Sequence, residues 1–202
     1  MSEQNHYQHI VVLTGAGVSA ESGLKTFRDN GGLWEGHKVE EVATPEAFLN
    51  NPDLVQQFYN MRRRQLLSAG VDVNAAHRQL AKFEGDFLSQ TAYEDRSFTL
   101  VTQNVDDLHQ RAGSNNLIAM HGELLKARCI DCGFVTKWML DIDRLSQCGK
   151  CKITGMIRPH IVWFGEVPLA MNDIEEALGR CDLFVSIGTS SAVYPAAGFQ
   201  QF

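Results

Sequence analysis

Ile10-Val11-Val12-Leu13-Thr14-Gly15-Ala16-Gly17-Val18-Ser19-Ala20 is the stretch on which the fold of this 202-residue chain turns. A short apolar run that ends in Gly-x-Gly is how a buried strand brings its backbone close to a phosphate. Gly15 allows a tight turn and Gly17 omits the side chain that would block approach. The helix that follows then offers N–H groups and the positive end of its dipole. Ala20 stands where the dinucleotide fingerprint has its third glycine, a replacement that the pattern tolerates. A Gly-rich turn opening an ordinary α/β domain carries the same letters, so the loop by itself is a weak signal. The next segment narrows the choice. An ordinary dinucleotide fold places an acid about 20 residues on, at the end of a second strand. Here Asn30-Gly31-Gly32-Leu33-Trp34-Glu35 is turn-rich and follows no apolar strand, and Glu35 and Glu40 sit in the wrong context. The expectation is a dinucleotide held in a modified way, with Thr26, Phe27, Arg28 and Trp34 on a loop folded over it.

Working outward, strand-like runs recur at 98–103, 117–120, 161–164 and Leu183–Ile187, rich in Val, Ile or Phe with little polar alternation, as in a parallel sheet covered on both faces. Helical segments lie between them. One is predicted from Asn51-Pro52, with Asn as cap and Pro at the first helical position, to about Leu67. Others follow Asn74, start near Asn104 and stop at Gly113, and follow Asn172. Alternating β and α units predict a doubly wound, Rossmann-like α/β fold. Residues 123–157 break the alternation, and the chain ends just inside a helix, so the C-terminal part of the Rossmann-like domain is expected to be missing. Composition is ordinary at 44% hydrophobic and 21% charged. A net charge of −6 argues against a duplex nucleic-acid partner, which normally needs a basic stripe. No run of about 18 apolar residues is present to span a bilayer, and residues 1–9 lack the form of a signal peptide. A cytoplasmic location is expected, where paired cysteines usually mean metal rather than disulfide.

Three constellations carry chemistry. Cys129-x-x-Cys132 and Cys148-x-x-Cys151, 15 residues apart, match two-knuckle zinc spacing. Four thiolates satisfy tetrahedral Zn²⁺ and leave no open position, so the ion is structural. Cys181, before a strand, reads as a small core residue. Thr102-Gln103-Asn104-Val105-Asp106-Asp107-Leu108-His109 follows a strand and lies where open α/β sheets bind ligands. Asn104 and Asp106 suit a carboxamide; helix capping accounts for one of them as well. His121-Gly122 ends the next strand and is a general-base candidate, although a lone histidine, like His77, His109 and His160, is more often structural.

With GAGVSAESG…FR, TQNVDDLH, HGELLKARC, the two Cys pairs and Gly188-Thr189-Ser190 in this order, nearly the whole sequence resembles the sirtuins, NAD-dependent protein lysine deacylases, and within them the bacterial CobB-type branch. The resemblance implies NAD as co-substrate, one structural Zn²⁺, and acyl-lysine proteins as partners. In that family the acyl oxygen attacks C1′ of the nicotinamide ribose; nicotinamide, free lysine and O-acyl-ADP-ribose are the products. It implies that His121 is the general base and that Asn104 and Asp106 bind nicotinamide and ribose, while Gln103 orients the ribose and Phe27 shields it. Gly15, Ala16, Gly17, Thr26, Arg28, Trp34, Val105, Gly188, Thr189 and Ser190 would complete the NAD site, and Val162 and Phe164 would hold the substrate chain. Tyr59 and Arg62, three apart on one helix, match the Tyr-x-x-Arg pair of the branch that removes acidic acyl groups; a buried succinyl or malonyl carboxylate needs a cation. Without the match, Arg62-Arg63-Arg64 reads as a solvated helix face. Both deacetylation and desuccinylation are expected. Lys25 departs from the proline of many sirtuins. Residues 1–37, 77–122 and 158–202 are assigned to the NAD-binding domain, and 38–76 with 123–157 to a small domain; a monomer is expected. Two other readings use the same residues: mono-ADP-ribosyl transfer, or a zinc-knuckle module without catalysis.

Overall fold

The structure, a computed structural model, describes residues 7–24, 36–90, 95–190 and 192–201. Its strands, in chain order, are β1 (His9–Thr14), β2 (Ser97–Thr102), β3 (Leu117–Ala119), β4 (Gly122–Cys129), β5 (Val135–Lys137), β6 (Ile157–Ile161) and β7 (Leu183–Ile187). The helices are α1 (Val39–Val42), α2 (Pro45–Asn50), α3 (Pro52–Leu66), α4 (Ala75–Leu88), α5 (Leu108–Ala112) and α6 (Met171–Arg180), with 3-10 turns at Ala16–Ser22 and Ala196–Gln201. Thr26, Phe27, Arg28 and Trp34 lie outside the described residues.

The main sheet is parallel, in the order β3-β2-β1-β7. Strand alternation divides its apolar residues between two layers. Val11, Leu13 and Val101 pack with Ile174 and Leu178 of α6 on one face, while Ile10, Val12, Phe98 and Leu100 meet Leu80 and Phe87 of α4 on the other. This is the Rossmann-like, doubly wound architecture. Strand order reverses at β1, with β2 and β3 added on one side and β7 on the other, so the crevice at the carboxyl ends of these strands is the topological switch point. β7 is an edge strand and only half-buried, less covered than its composition suggests.

A second sheet, antiparallel, runs β5-β4-β6. The strand predicted over 161–164 lies four residues earlier and belongs to this sheet, where it runs antiparallel to β4 from Ile157 opposite Cys129 to Ile161 opposite Gly122. Residues beyond Ile161 bridge outward instead: the Val162 N–H donates to the His121 carbonyl (2.9 Å) and that of Phe164 to Ala43 (3.0 Å). Helix α3 starts as predicted, Asn51 accepting from Leu54 N–H with Pro52 in the first turn, and Asn74 caps α4. Helix α5 begins four residues after the predicted start, since 104–107 are held in the site described next. Asn172 lies inside α6, not at its cap.

Candidate active site

The carboxyl ends of all four parallel strands meet around a cavity of about 950 Å³. β1 runs into Gly15-Ala16-Gly17, β2 into Gln103-Asn104-Val105-Asp106, β3 into Met120-His121, and β7 into Gly188-Thr189-Ser190. These residues line the cavity, with Tyr59, Arg62, Val162 and Phe164, apart from Met120.

The glycine loop differs from expectation in what it touches. The N–H groups of Gly15 and Gly17 donate to the Ile187 and Gly188 carbonyls, at 3.1 and 2.8 Å. A Cβ on Gly15 would stand 2.7 Å from that of Thr189, and one on Gly17 would stand 2.8 Å from the Gly188 carbonyl. These glycines therefore let the β1 loop and the β7 loop lie backbone against backbone. That contact builds the crevice wall and commits the Gly15 and Gly17 N–H groups to the end of β7 and its loop.

Beneath the loop, Ser19 gathers the polar side chains. Its hydroxyl donates to Asp106 Oδ2 (2.9 Å) and accepts from Asn104 Nδ2 (3.1 Å); that amide also reaches the Gly15 carbonyl at 3.2 Å. His77 Nδ1 faces the Asn74 N–H, which leaves the proton on Nε2, aimed at Ser19 Oγ (3.5 Å). Asp106 Oδ1 accepts from Leu108 N–H in a turn just before α5, whose cap position is Asp107, so neither Asn104 nor Asp106 is the capping residue that the sequence allowed. Burial pushes the Asp106 carboxyl up, against the pull of Leu108 and Ser19. Ser19 was quoted within the loop motif but assigned no role; nothing in its spacing distinguishes a network hub from a turn serine.

His121 is half-buried. Its Nδ1 lies 3.0 Å from the Gln103 carbonyl, which accepts the Nδ1 proton and leaves Nε2 as the basic atom. Burial lowers its pKa below the ordinary 6.5, partly opposed by that bond. Gly122 has φ +81°, and a Cβ there would collide with the His160 carbonyl, so glycine is what allows β4 to leave the histidine and pair at once with β6. Gln103 Nε2 donates to Thr189 Oγ1 at 3.0 Å, joining the β2 and β7 loops. His109 and His77 are buried with ring centroids 4.8 Å apart, and His109 Nε2 pairs with Thr14 Oγ1, in line with a structural role.

At the far end of the cavity, Tyr59 is fully buried and accepts from Trp163 Nε1 at 2.9 Å. The Arg158 guanidinium stacks on that indole at 3.2 Å and pairs with Glu166, which also takes Arg128 and the Trp163 N–H. Burial drives the Tyr59 phenol well above its usual range. Arg62 is half-buried with its guanidinium 5.0 Å over Phe58. The three arginines do not share a solvated face: Arg63 is 1% exposed, bonded to the Leu124 carbonyl and Asn60 Oδ1. Sequence reasoning assigned no role to Arg158, Trp163 or Glu166; the bond from Trp163 to Tyr59 spans 104 residues and leaves no periodic trace.

Cys129, Cys132, Cys148 and Cys151 place their sulfurs within 4.8 Å of one another, with Sγ–Sγ separations of 3.7 and 3.6 Å for Cys129–Cys151 and Cys132–Cys148. A tetrahedron with Zn–S bonds of about 2.3 Å has edges of about 3.8 Å, so this donor set fits Zn²⁺ and encloses it. Cys181 packs partly buried against the α6 face of the sheet.

Comparison with known proteins places this geometry. The model of the Sir2 family matches residues 15–195. An NAD-dependent protein deacylase of Pasteurella multocida is 58% identical over 193 residues, covering 94% of this chain and 78% of that protein. One of Vibrio cholerae is 54% identical, covering 96% and 76%. Among solved structures, a Sir2 homolog–NAD complex superposes with a TM-score of 0.83 at 37% identity, covering 96% of this chain and 73% of that one. A mutant Sir2 homologue–ADP ribose complex gives 0.85 at 36% identity, covering 100% and 80%.

Proposed function

Since this chain belongs to the Sir2 family, we propose that it is an NAD-dependent protein deacylase, moving acyl groups from protein lysines to the ADP-ribose part of NAD. The observation that carries the reading is the meeting of His121, the Gln103–Asp106 segment and Gly188-Thr189 at one cavity that extends to Tyr59 and Arg62. NAD supplies an electrophilic ribose carbon when nicotinamide leaves; the protein's part is to orient, to exclude water and to move a proton. Asn104 and Asp106 hold nicotinamide and its ribose, positioned through Ser19. Gln103 orients the ribose, and Gly15, Ala16, Gly17, Val105, Gly188, Thr189 and Ser190 follow the phosphates and adenosine. Thr26, Phe27, Arg28 and Trp34 are assigned to the same ligand on sequence alone. His121, neutral near pH 7 and anchored through Nδ1, takes the ribose hydroxyl proton at Nε2. Val162 and Phe164 carry the substrate chain. The four cysteines hold Zn²⁺ away from the reacting centre, keeping residues 123–157 folded. Residues 1–37, 77–122 and 158–202 make up the NAD-binding domain, with 38–76 and 123–157 as the smaller one.

For the acyl group, Arg62 provides a cation for a succinyl or malonyl carboxylate beside Tyr59, and acetyl-lysine is a second substrate. The test is incubation with NAD and matched acetyl- and succinyl-lysine peptides, with nicotinamide release and product mass as readouts. O-acyl-ADP-ribose is expected; ADP-ribosylated protein in its place would make the chain a transferase to protein. Arg62→Met is expected to remove desuccinylation selectively, since it strands a carboxylate at a cost on the order of 3–5 kcal/mol. Equal loss on both peptides would make Arg62 a structural residue.

A further inference from the structure

We propose that Asn60 is a positioning residue that sets acyl selectivity by locking helix α3 to the cysteine module; the inference rests on the assignment of Tyr59 and Arg62 to the acyl group. Helical spacing splits α3 into two rows. Val55, Tyr59, Arg62 and Leu66 form one, and the last three line the cavity. Asp53, Gln56, Asn60 and Arg64 form the other, and each meets residues 141–157. Asp53 pairs with Arg144 through two contacts of 2.6 Å, and Arg64 pairs with Asp141 at 3.0 and 2.7 Å. Gln56 Nε2 donates to the Ile157 carbonyl at 2.8 Å.

The two ion pairs are exposed, and such pairs hold little against solvent. Asn60 is 5% exposed and closes a double bond with one backbone unit: its Nδ2 donates to the Ile142 carbonyl and its Oδ1 accepts the Ile142 N–H, both at 2.8 Å. The same Oδ1 accepts Arg63 Nη1 at 2.8 Å, and Arg63 Nε donates to the Leu124 carbonyl at 3.2 Å, three residues beyond His121. One side chain therefore ties α3 to the loop that carries Ile142, which packs with Cys129 and Cys148, and to β4. This joint lies one residue from Tyr59 and two from Arg62. His121, Asn104 and Asp106 sit at the ends of the parallel strands, and their side chains bond to Gln103, Ser19 and Leu108 rather than to Asn60 or Arg63. A rotation of α3 displaces Tyr59 and Arg62 directly and reaches the Gln103–Asp106 segment one step further on, through Leu124, whose N–H donates to the Val105 carbonyl at 2.8 Å.

The experiment compares Asn60→Ala, Asn60→Asp and Arg62→Met with the parent protein, measuring kcat and KM on succinyl- and acetyl-lysine peptides. Peptide affinity without NAD, zinc content and urea midpoint are measured on the same samples. Asn60→Ala is expected to raise KM and weaken binding of the succinyl peptide about 10-fold, with kcat little changed, while acetyl values move less than about 2-fold. Asn60→Asp keeps both acceptor contacts, with Arg63 beside its charge, but sets a carboxylate oxygen against the Ile142 carbonyl, so it is expected to restore part of the affinity. Should Asn60→Ala fail to fold, the Asp variant alone is read, with a selective succinyl loss of about 3-fold expected. Equal losses on both peptides, or no change, in an Asn60 variant with full zinc content overturn the inference. If instead Arg62→Met spares desuccinylation, the acyl assignment itself fails and this inference with it.

Discussion

The proton-transfer role proposed for His121 rests on two local features. Its Nδ1 proton is committed to the Gln103 carbonyl, and burial favours the uncharged ring. His121→Ala is expected to cut deacylation by about 10²–10⁴-fold with the urea midpoint unchanged, and turnover in the parent should fall once the imidazole protonates below neutral pH. A variant with near-parent turnover removes the assignment. His109 carries a stability prediction of its own. Burial lowers its pKa from 6.5 to about 4, its Nδ1 has no partner among the described residues, and His77 stands beside it. Between those pH values the unfolded chain binds the proton and the folded chain does not, so stability is complete above pH 6.5 and falls toward pH 4, by about 3 kcal/mol. Urea titrations at pH 7 and 5 should show a steeper acid loss for the parent than for His109→Gln; identical slopes would place the acid sensitivity elsewhere.

At the scale of the element, α3 shows the limit of periodicity. The caps Asn51-Pro52 were legible because their chemistry is local, and the row holding Tyr59 and Arg62 follows from spacing. That Arg63 is buried was not legible, because a run of three arginines is the ordinary signature of a wet surface. What draws it inward is Leu124 on β4 and Asn60 beside it. Burial lowers its pKa from 12.5 to about 10 without neutralising it. Arg63→Ala takes the donor from the buried Leu124 carbonyl, removes one of the two donors to Asn60 Oδ1 and empties a packed site, and is expected to cost about 2–4 kcal/mol in urea unfolding, whereas Arg64→Ala, which breaks one exposed pair, costs less than about 1 kcal/mol. Similar losses from the two would mean that Arg63 is hydrated in solution.

At the scale of the whole molecule, the cysteine module and the parallel sheet depend on different forces. The sheet buries apolar layers on both faces, while the module holds one small core of Ala127, Cys129, Ile142, Cys148 and Ile157. Purified protein is expected to contain one zinc per chain, and chelation should unfold residues 123–157 while the sheet's helical signal persists. Cys129→Ser should give insoluble protein, and a folded, active, metal-free chain would exclude the site. Among the described residues, no helix is long and apolar enough to cross a membrane. The sequence by itself determined the α/β alternation, the four-thiolate cluster, the caps at Asn51 and Asn74 and the placement of His121, Asn104 and Asp106 after strand ends, because each is written in residues near one another in the chain. Only the tertiary structure decided that Gly15 and Gly17 serve the contact with β7, that Ser19 joins Asn104 to Asp106, that the strand near 161 belongs to the antiparallel sheet, and that Arg63 is core. Each of these depends on which distant backbone or side-chain group arrives within about 3 Å, and periodicity and propensity carry no record of that distance.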